Sequence, residues 1–487
     1  MNKKVFAVCF ILILPSIVAR EKIDNANTDF SSTYSNLKDF FGNKIGIDAG
    51  NDDLIVVFVK RVRSLNMENN KIYFKIYIDG ENSIFWEEYY EGMDIYFEWP
   101  TAWRGVNSTG KITIQIELWE KGILDKPLDI SKNEGEYLYG KSLNLLFDVE
   151  SGEWEGDDFL NDTNGYGHAS GYEDGNYEEN DYEIWFDIFL WDESGDRITK
   201  YEKEKYGLNE NKSYGNIDLD GDGIPSDWEN KYGYNPLIWE DHKNLDPEKD
   251  GLTNYEEYLT SEWLSDPFAK DIFVEVDGMK AKYSLQRDYM LPKESMQMIC
   301  NAFAKHNITV HFDDGFMGGG GDLIPFDEKM YGEELQAARL KYFLNGDPNN
   351  WRKGVFHYSI IICQMGWQGR PAGGRMFYVD SHCVGGQYVR NWMWAIRLQG
   401  SDYITAMASV YMHELGHTLG LFDFEGIDNE NTRFPWKKEY WEYGNYKSCM
   451  NYRYVFKLVD YSDGSHGKND CNDWGNLDLG AFNGVWW

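Results

Sequence analysis

Apolar and polar residues alternate over several stretches of the first half of the chain. Ile72, Phe74, Ile76 and Ile78 interleave with Tyr73, Lys75 and Tyr77, and Ile112, Ile114, Ile116 and Leu118 with Thr113, Gln115 and Glu117. Ile184, Phe186, Ile188 and Leu190 make a third such run. A period of two puts neighbouring side chains on opposite faces of a strand, and the Gly, Asn and Asp clusters between runs supply turns. The pattern over 45–195 predicts half-buried antiparallel strands in an all-β sandwich.

After residue 268 the period changes. Met296, Ile299, Cys300 and Phe303 fall on one stripe of a helix spanning Glu294–His306. Strands are expected at Asp271–Val276, Ile308–Phe312 and Val355–Ile362, helices at Glu333–Leu344 and Tyr403–Leu419, and a flexible loop at Gly318–Gly321. Alternating strands and helices make 268–487 an α/β (α+β) domain. Between the halves, 213–265 is rich in Asp, Asn, Gly and Pro and reads as a short module of its own, so the chain is multidomain.

Lys3 and Lys4 precede an apolar run, Val5–Val18, which Pro15 interrupts and Ala19 follows. This is the pattern of a signal peptide over 1–19, and it predicts a secreted, extracellular protein. No later stretch is apolar for 18 residues, so no integral membrane segment is expected once the signal is removed. Outside the apolar run the cysteines are Cys300, Cys363, Cys383, Cys449 and Cys471; their odd number leaves at least one unpaired within the chain. The 487 residues include 47 Lys and Arg against 82 Asp and Glu, a net charge of −35. Such a surface repels phosphates and argues against a nucleic-acid partner.

Asp218, Asp220, Asp222, Gly223, Ile224 and Glu229 fit positions one, three, five, six, seven and twelve of an EF-hand loop. Calcium takes many oxygens at flexible geometry, and alternate residues of a tight loop point inward. Gly223 allows the sharp turn, and Ile224 offers its backbone carbonyl. A second loop repeats the spacing with Asp246, Glu248, Asp250, Gly251, Leu252, Asn254 and Glu257, with Glu in place of Asp at position three. About two structural calcium ions are expected. The segments entering the loops lack helical periodicity, so the pair resembles the extracellular Asp-rich modules of the thrombospondin type 3 kind. The acidic stretch between 150 and 182 reads either as a solvated loop or as a calcium loop at the end of a sandwich, as in C2-like modules.

The run His413-Glu414-Leu415-Gly416-His417-Thr418-Leu419-Gly420-Leu421-Phe422-Asp423 carries the chemistry. His413 and His417 share one face of a helix, where two imidazoles can hold one catalytic zinc ion. Glu414 borders that face and can act as a general base toward water. Gly420 can end the helix and turn the chain back, bringing Asp423 round as third ligand. Asp428 and His466 are alternatives for that position.

This extended motif resembles the metzincin clan of zinc metalloproteases. Ser448-Cys449-Met450-Asn451-Tyr452 is similar to the clan's Met-turn, with Met450 as the floor of the site. Tyr452 stands where astacin-like and serralysin-like members have a tyrosine that ligates zinc or steadies the transition state. Most of the clan has His as third ligand; snapalysin-like members have Asp, as here. A gluzincin arrangement would instead take Glu439 or Glu442. The resemblance implies an endopeptidase acting on proteins or peptides that lie extended along an edge strand above the active-site helix, with Glu414 and Tyr452 catalytic. The 45–195 domain is left to contact a cell surface, a glycan or a substrate, or to cover the site. Two other classes stay open. One is a calcium-dependent surface adhesion or carbohydrate-binding protein with a degenerate protease fold, against which the intact Glu414 argues. The other is a structural zinc domain, which would close all four ligand positions with Cys or His.

Overall fold

The computed structural model describes residues 53–84, 88–106, 110–133, 141–158, 165–177, 180–191, 194–367, 370–422, 427 and 431–483. The expected signal peptide, Asp423 and Asp428 lie outside these described residues. No described helix is long and apolar enough to cross a membrane.

The first half folds as two antiparallel sheets. Its main strands are β1 (Asp53–Ser64), β2 (Lys71–Ile78), β3 (Lys111–Glu120), β4 (Leu143–Asp148) and β5 (Tyr182–Trp191). β1 pairs with β5 in one sheet; β2, β3 and β4 are neighbours in the other. Ile55, Val57 and Val59 of the first sheet meet Ile72, Phe74, Ile76, Ile114 and Ile116 of the second in one core. β2 alternates between buried and more exposed positions, as its sequence predicts.

β5 departs from the expected half-buried strand: all ten of its residues are buried. Its outward polar residues are neutralised rather than solvated. Glu183 pairs with Arg63 and with His168, and Asp187 lies 2.6 Å from Arg197 and 3.9 Å from Lys231. Trp185 packs with Tyr166 and Leu264. The sheet's outer face is thus covered by the middle of the chain.

The middle holds two acidic loops, each followed by a short helix, α1 (Ser226–Lys231) and α2 (Asn254–Thr260). The last part contains β6 (Lys270–Met279), α3 (Lys293–Ala304), β7 (Ile308–Asp313), β8 (Phe356–Ile362), β9 (Gly374–Tyr378), β10 (Ser381–Gly385) and α4 (Tyr403–Thr418). The sheet order is β7-β6-β8-β10-β9; the first four run parallel, and β9 is antiparallel at the edge. The helix expected over Glu333–Leu344 is α-helical at Gly332–Ala338 and then widens into a π turn at Arg339–Phe343.

Gly318–Gly321 is not the loose loop its composition predicts. It wraps the Asp313 carboxylate, which accepts from the N–H groups of Gly315, Met317 and Gly319. A Cβ on Gly319 would lie 2.3 Å from Glu275 Oε2 and 2.7 Å from Arg352 Nη2. The glycines allow close approach to a buried ion-pair cluster, in which Arg352 meets both Glu275 and Asp313. Cys300, Cys363, Cys383, Cys449 and Cys471 all carry free thiols.

α3 joins the first half to the last. The Gln297 side chain donates to the carbonyl of Ser64, and that of Asn301 to the carbonyl of Leu65. From the same helix, Ser295 Oγ donates to the Ile404 carbonyl at the start of α4 at 2.8 Å.

Candidate active site

α4 forms because its sequence is apolar nearly all round and Asp402 caps it, accepting from the Thr405 N–H at 2.8 Å. Residues Ala406–Thr418 are buried. The helix ends as its sequence predicts: Gly420 has φ 85, and the Leu421 N–H returns to the Gly416 carbonyl at 2.9 Å.

His413 and His417 stand one turn apart, with ring centroids 4.9 Å apart and planes at 90°. His413 Nδ1 lies 2.9 Å from the Cys449 carbonyl, and His417 Nδ1 2.7 Å from the Leu421 carbonyl. A carbonyl only accepts, so each Nδ1 carries the proton and each Nε2 keeps its lone pair. This is how ligating histidines are usually oriented, and two such imidazoles suit a divalent transition metal.

Glu414 is buried beneath β9: a Cβ on Gly374 would sit 2.6 Å from Glu414 Cγ and 2.7 Å from its Oε1. Arg375, the next residue of β9, has its pKa lowered by burial, against a raising influence of Glu414.

Under the helix, Met450 is fully buried, and a Cβ on Gly416 would meet its sulfur at 2.9 Å. Asn431 brackets the turn, its amide donating to the Met450 carbonyl and its oxygen accepting from the Tyr452 N–H. The Tyr452 ring stacks on His413 at 5.5 Å and remains 36% exposed. Two of the alternatives for the third-ligand position have acid or base partners of their own. His466 pairs with Asp470 at 3.0 Å, and Glu442 with Lys438 at 2.9 Å. His357 and His382 are buried core residues whose pKa values burial lowers to about 4 and about 3.

In the first acidic loop the ligand-type oxygens of Asp218, Asp220 and Asp222 gather within 4.8 Å, and Asp222, Glu229 and His242 form a second such group. Asp218 accepts from the Gly221 and Gly223 N–H groups, and Asp222 from that of Ile224. Glu229 is fully buried, and neither of its oxygens has a hydrogen-bond partner among the described residues. Burial and the charges of Asp222 and Asp220 push its pKa up to about 8. The second loop repeats this with Asp246, Glu248 and Asp250 together, and with Asp250 also beside Glu257 and Asp271. Burial raises Glu248 to about 10 and Asp250 to about 7. Asn254 Nδ2 lies 2.9 Å from His242 Nδ1 and links the loops. Ile224 and Leu252 bury their side chains. Buried carboxylate oxygens without partners fit a hard divalent cation.

No family model matches the chain, and no curated protein matches it. Among solved structures, one described as a C2 domain aligns with 29% of this chain and 98% of its own, at 12% identity and a TM-score of 0.17.

Sequence reasoning missed Gly374, Asn431, His242 and Asp271. Gly374 and Asn431 reach the histidine helix from other segments, His242 lies between the two acidic loops and Asp271 past the second, and none belongs to a spacing motif. The glycine pair at Gly373–Gly374 was the one local signal for close approach.

Proposed function

We propose that the chain is an exported zinc-dependent endopeptidase. In this reading a metzincin-like catalytic domain is joined through a calcium-braced module to a C2-like sandwich. The observation that carries it is the histidine pair: both Nδ1 atoms are committed to backbone carbonyls, so both rings offer Nε2 to one metal. His413, His417 and Asp423 would hold zinc, which supplies a Lewis acid at the scissile carbonyl.

Glu414 takes the proton of the attacking water and delivers it to the leaving amine. β9 is the last strand in the order of the described sheet, a position that suits an extended peptide. Gly374 keeps side-chain bulk away from the base beneath it. Tyr452 hydrogen-bonds the oxyanion that develops. The acidic loops hold calcium and brace the catalytic domain.

The test is hydrolysis of a denatured protein mixture by the calcium-loaded protein beside Glu414→Gln, with zinc quantified in both. Zinc in both and hydrolysis by the wild type alone supports the reading. Absence of zinc from both overturns it.

A further inference from the structure

We propose that Asp271, the second residue of β6, is a ligand of the cation in the second acidic loop. One calcium ion is then held jointly by the loop and by the first strand of the C-terminal sheet. The inference rests on reading Asp246–Glu257 as a calcium loop and adds a ligand that this pattern does not contain.

Carboxylate oxygens of Asp250, Glu257 and Asp271 all lie within 4.8 Å of one another, and all three residues are buried. Glu257 is fully buried, and its Oε1 has no hydrogen-bond partner among the described residues; its other oxygen accepts from Ser265. Asp250 is shared with the group formed by Asp246 and Glu248, so the triad continues the loop's own set. No Lys or Arg ion pair to any of the three occurs among the described residues; Asp271 has His311 beside one oxygen, and its other accepts from the Asp266 N–H. Packing carboxylates together away from water is unfavourable unless a cation compensates them. An all-oxygen donor set of this size selects calcium over softer metals.

The backbone fixes the join. Asp250 Oδ2 accepts the Asp271 N–H at 2.7 Å, so the position-five carboxylate touches both the loop centre and the strand. The first loop is built differently. Its extra member is His242, whose Nε2 lies 3.2 Å from Asp222 and which comes from the segment between the loops. The second loop therefore ties its ion to the sheet. β6 lies between β7 and β8 in that sheet, whose edge strand covers Glu414.

The experiment is calcium titration of the full chain by calorimetry, with hydrogen exchange followed over Lys270–Met279. Expected are two calcium sites in the wild type, one of them weakened about tenfold or more in Asp271→Asn because a charged ligand is lost. Calcium should also slow exchange at the start of β6 in the wild type and much less in the variant. Glu257→Gln, which removes the loop's own last ligand, separates the two failures. If Glu257→Gln weakens one site and Asp271→Asn weakens neither, the loop reading stands and the role of Asp271 is overturned. If neither variant changes binding, both fall. Should Asp271→Asn fail to fold, wild-type exchange decides: unchanged protection of β6 on adding calcium overturns the proposal.

Discussion

The Leu421 carbonyl accepts the Nδ1 proton of His417 at 2.7 Å. Leu421 can do so because Gly420, at φ 85, reverses the chain and folds it back on the last turn of its own helix. The residue that stops the helix therefore also sets the tautomer of a histidine one turn earlier.

Gly420→Ala should disturb both. A left-handed conformation costs an L residue about 1–2 kcal/mol, and the new Cβ would lie 3.3 Å from the Asp478 Cβ. The expected outcome is a lower melting temperature and faster loss of zinc to a chelator. Unchanged zinc retention in a destabilised variant would show that the Leu421 contact does not matter for the metal.

Glu414→Gln and Gly374→Ala should separate chemistry from access. Removing a general base lowers kcat by about 10² or more, while zinc content stays at the wild-type level. Gly374→Ala pushes a methyl into Glu414 and into the Cys383 carbonyl, 2.7 Å away. It should reduce hydrolysis with zinc again retained. Wild-type turnover in Gly374→Ala would mean that β9 does not lie over the working base.

In the calcium-free protein, stability should fall as pH rises. Glu229 goes from an ordinary 4.5 to about 8 on folding, and Asp250 from 3.8 to about 7. Folding takes up protons at these groups. The stabilisation is complete below the unfolded values and is lost as pH climbs through about 8. Melting temperatures of chelator-treated protein measured across that window should decline. On the proposed calcium reading, added calcium should abolish the decline and bind more tightly at the high-pH end, where the carboxylates are deprotonated. A flat profile without calcium would count against both loops.

What the sequence disclosed follows from range. His413 and His417 were legible because four residues on a helix is a local relation, and β2 because one of its faces is partly exposed. β5 misled because Glu183 and Asp187 look like solvent-facing residues. Only the folded chain brings Arg63, Arg197 and Lys231 to them. Gly318–Gly321 misled because composition alone does not distinguish a loop that moves from one that must approach closely. A Cβ on Gly320 would lie 2.0 Å from the Asp313 carbonyl oxygen. The acidic loops were legible in their own residues, and Asp271 was not, because the strand supplying it lies past the end of the repeat.

The contacts of α3 have a practical meaning for anyone cutting the protein apart. Gln297 and Asn301 depend on carbonyls of Ser64 and Leu65, more than two hundred positions earlier. The covalent link between the halves runs through the mostly exposed stretch 208–214. A protease nick there severs the chain but none of those hydrogen bonds. The nicked protein should still elute from a sizing column as a single particle and come apart only in denaturant.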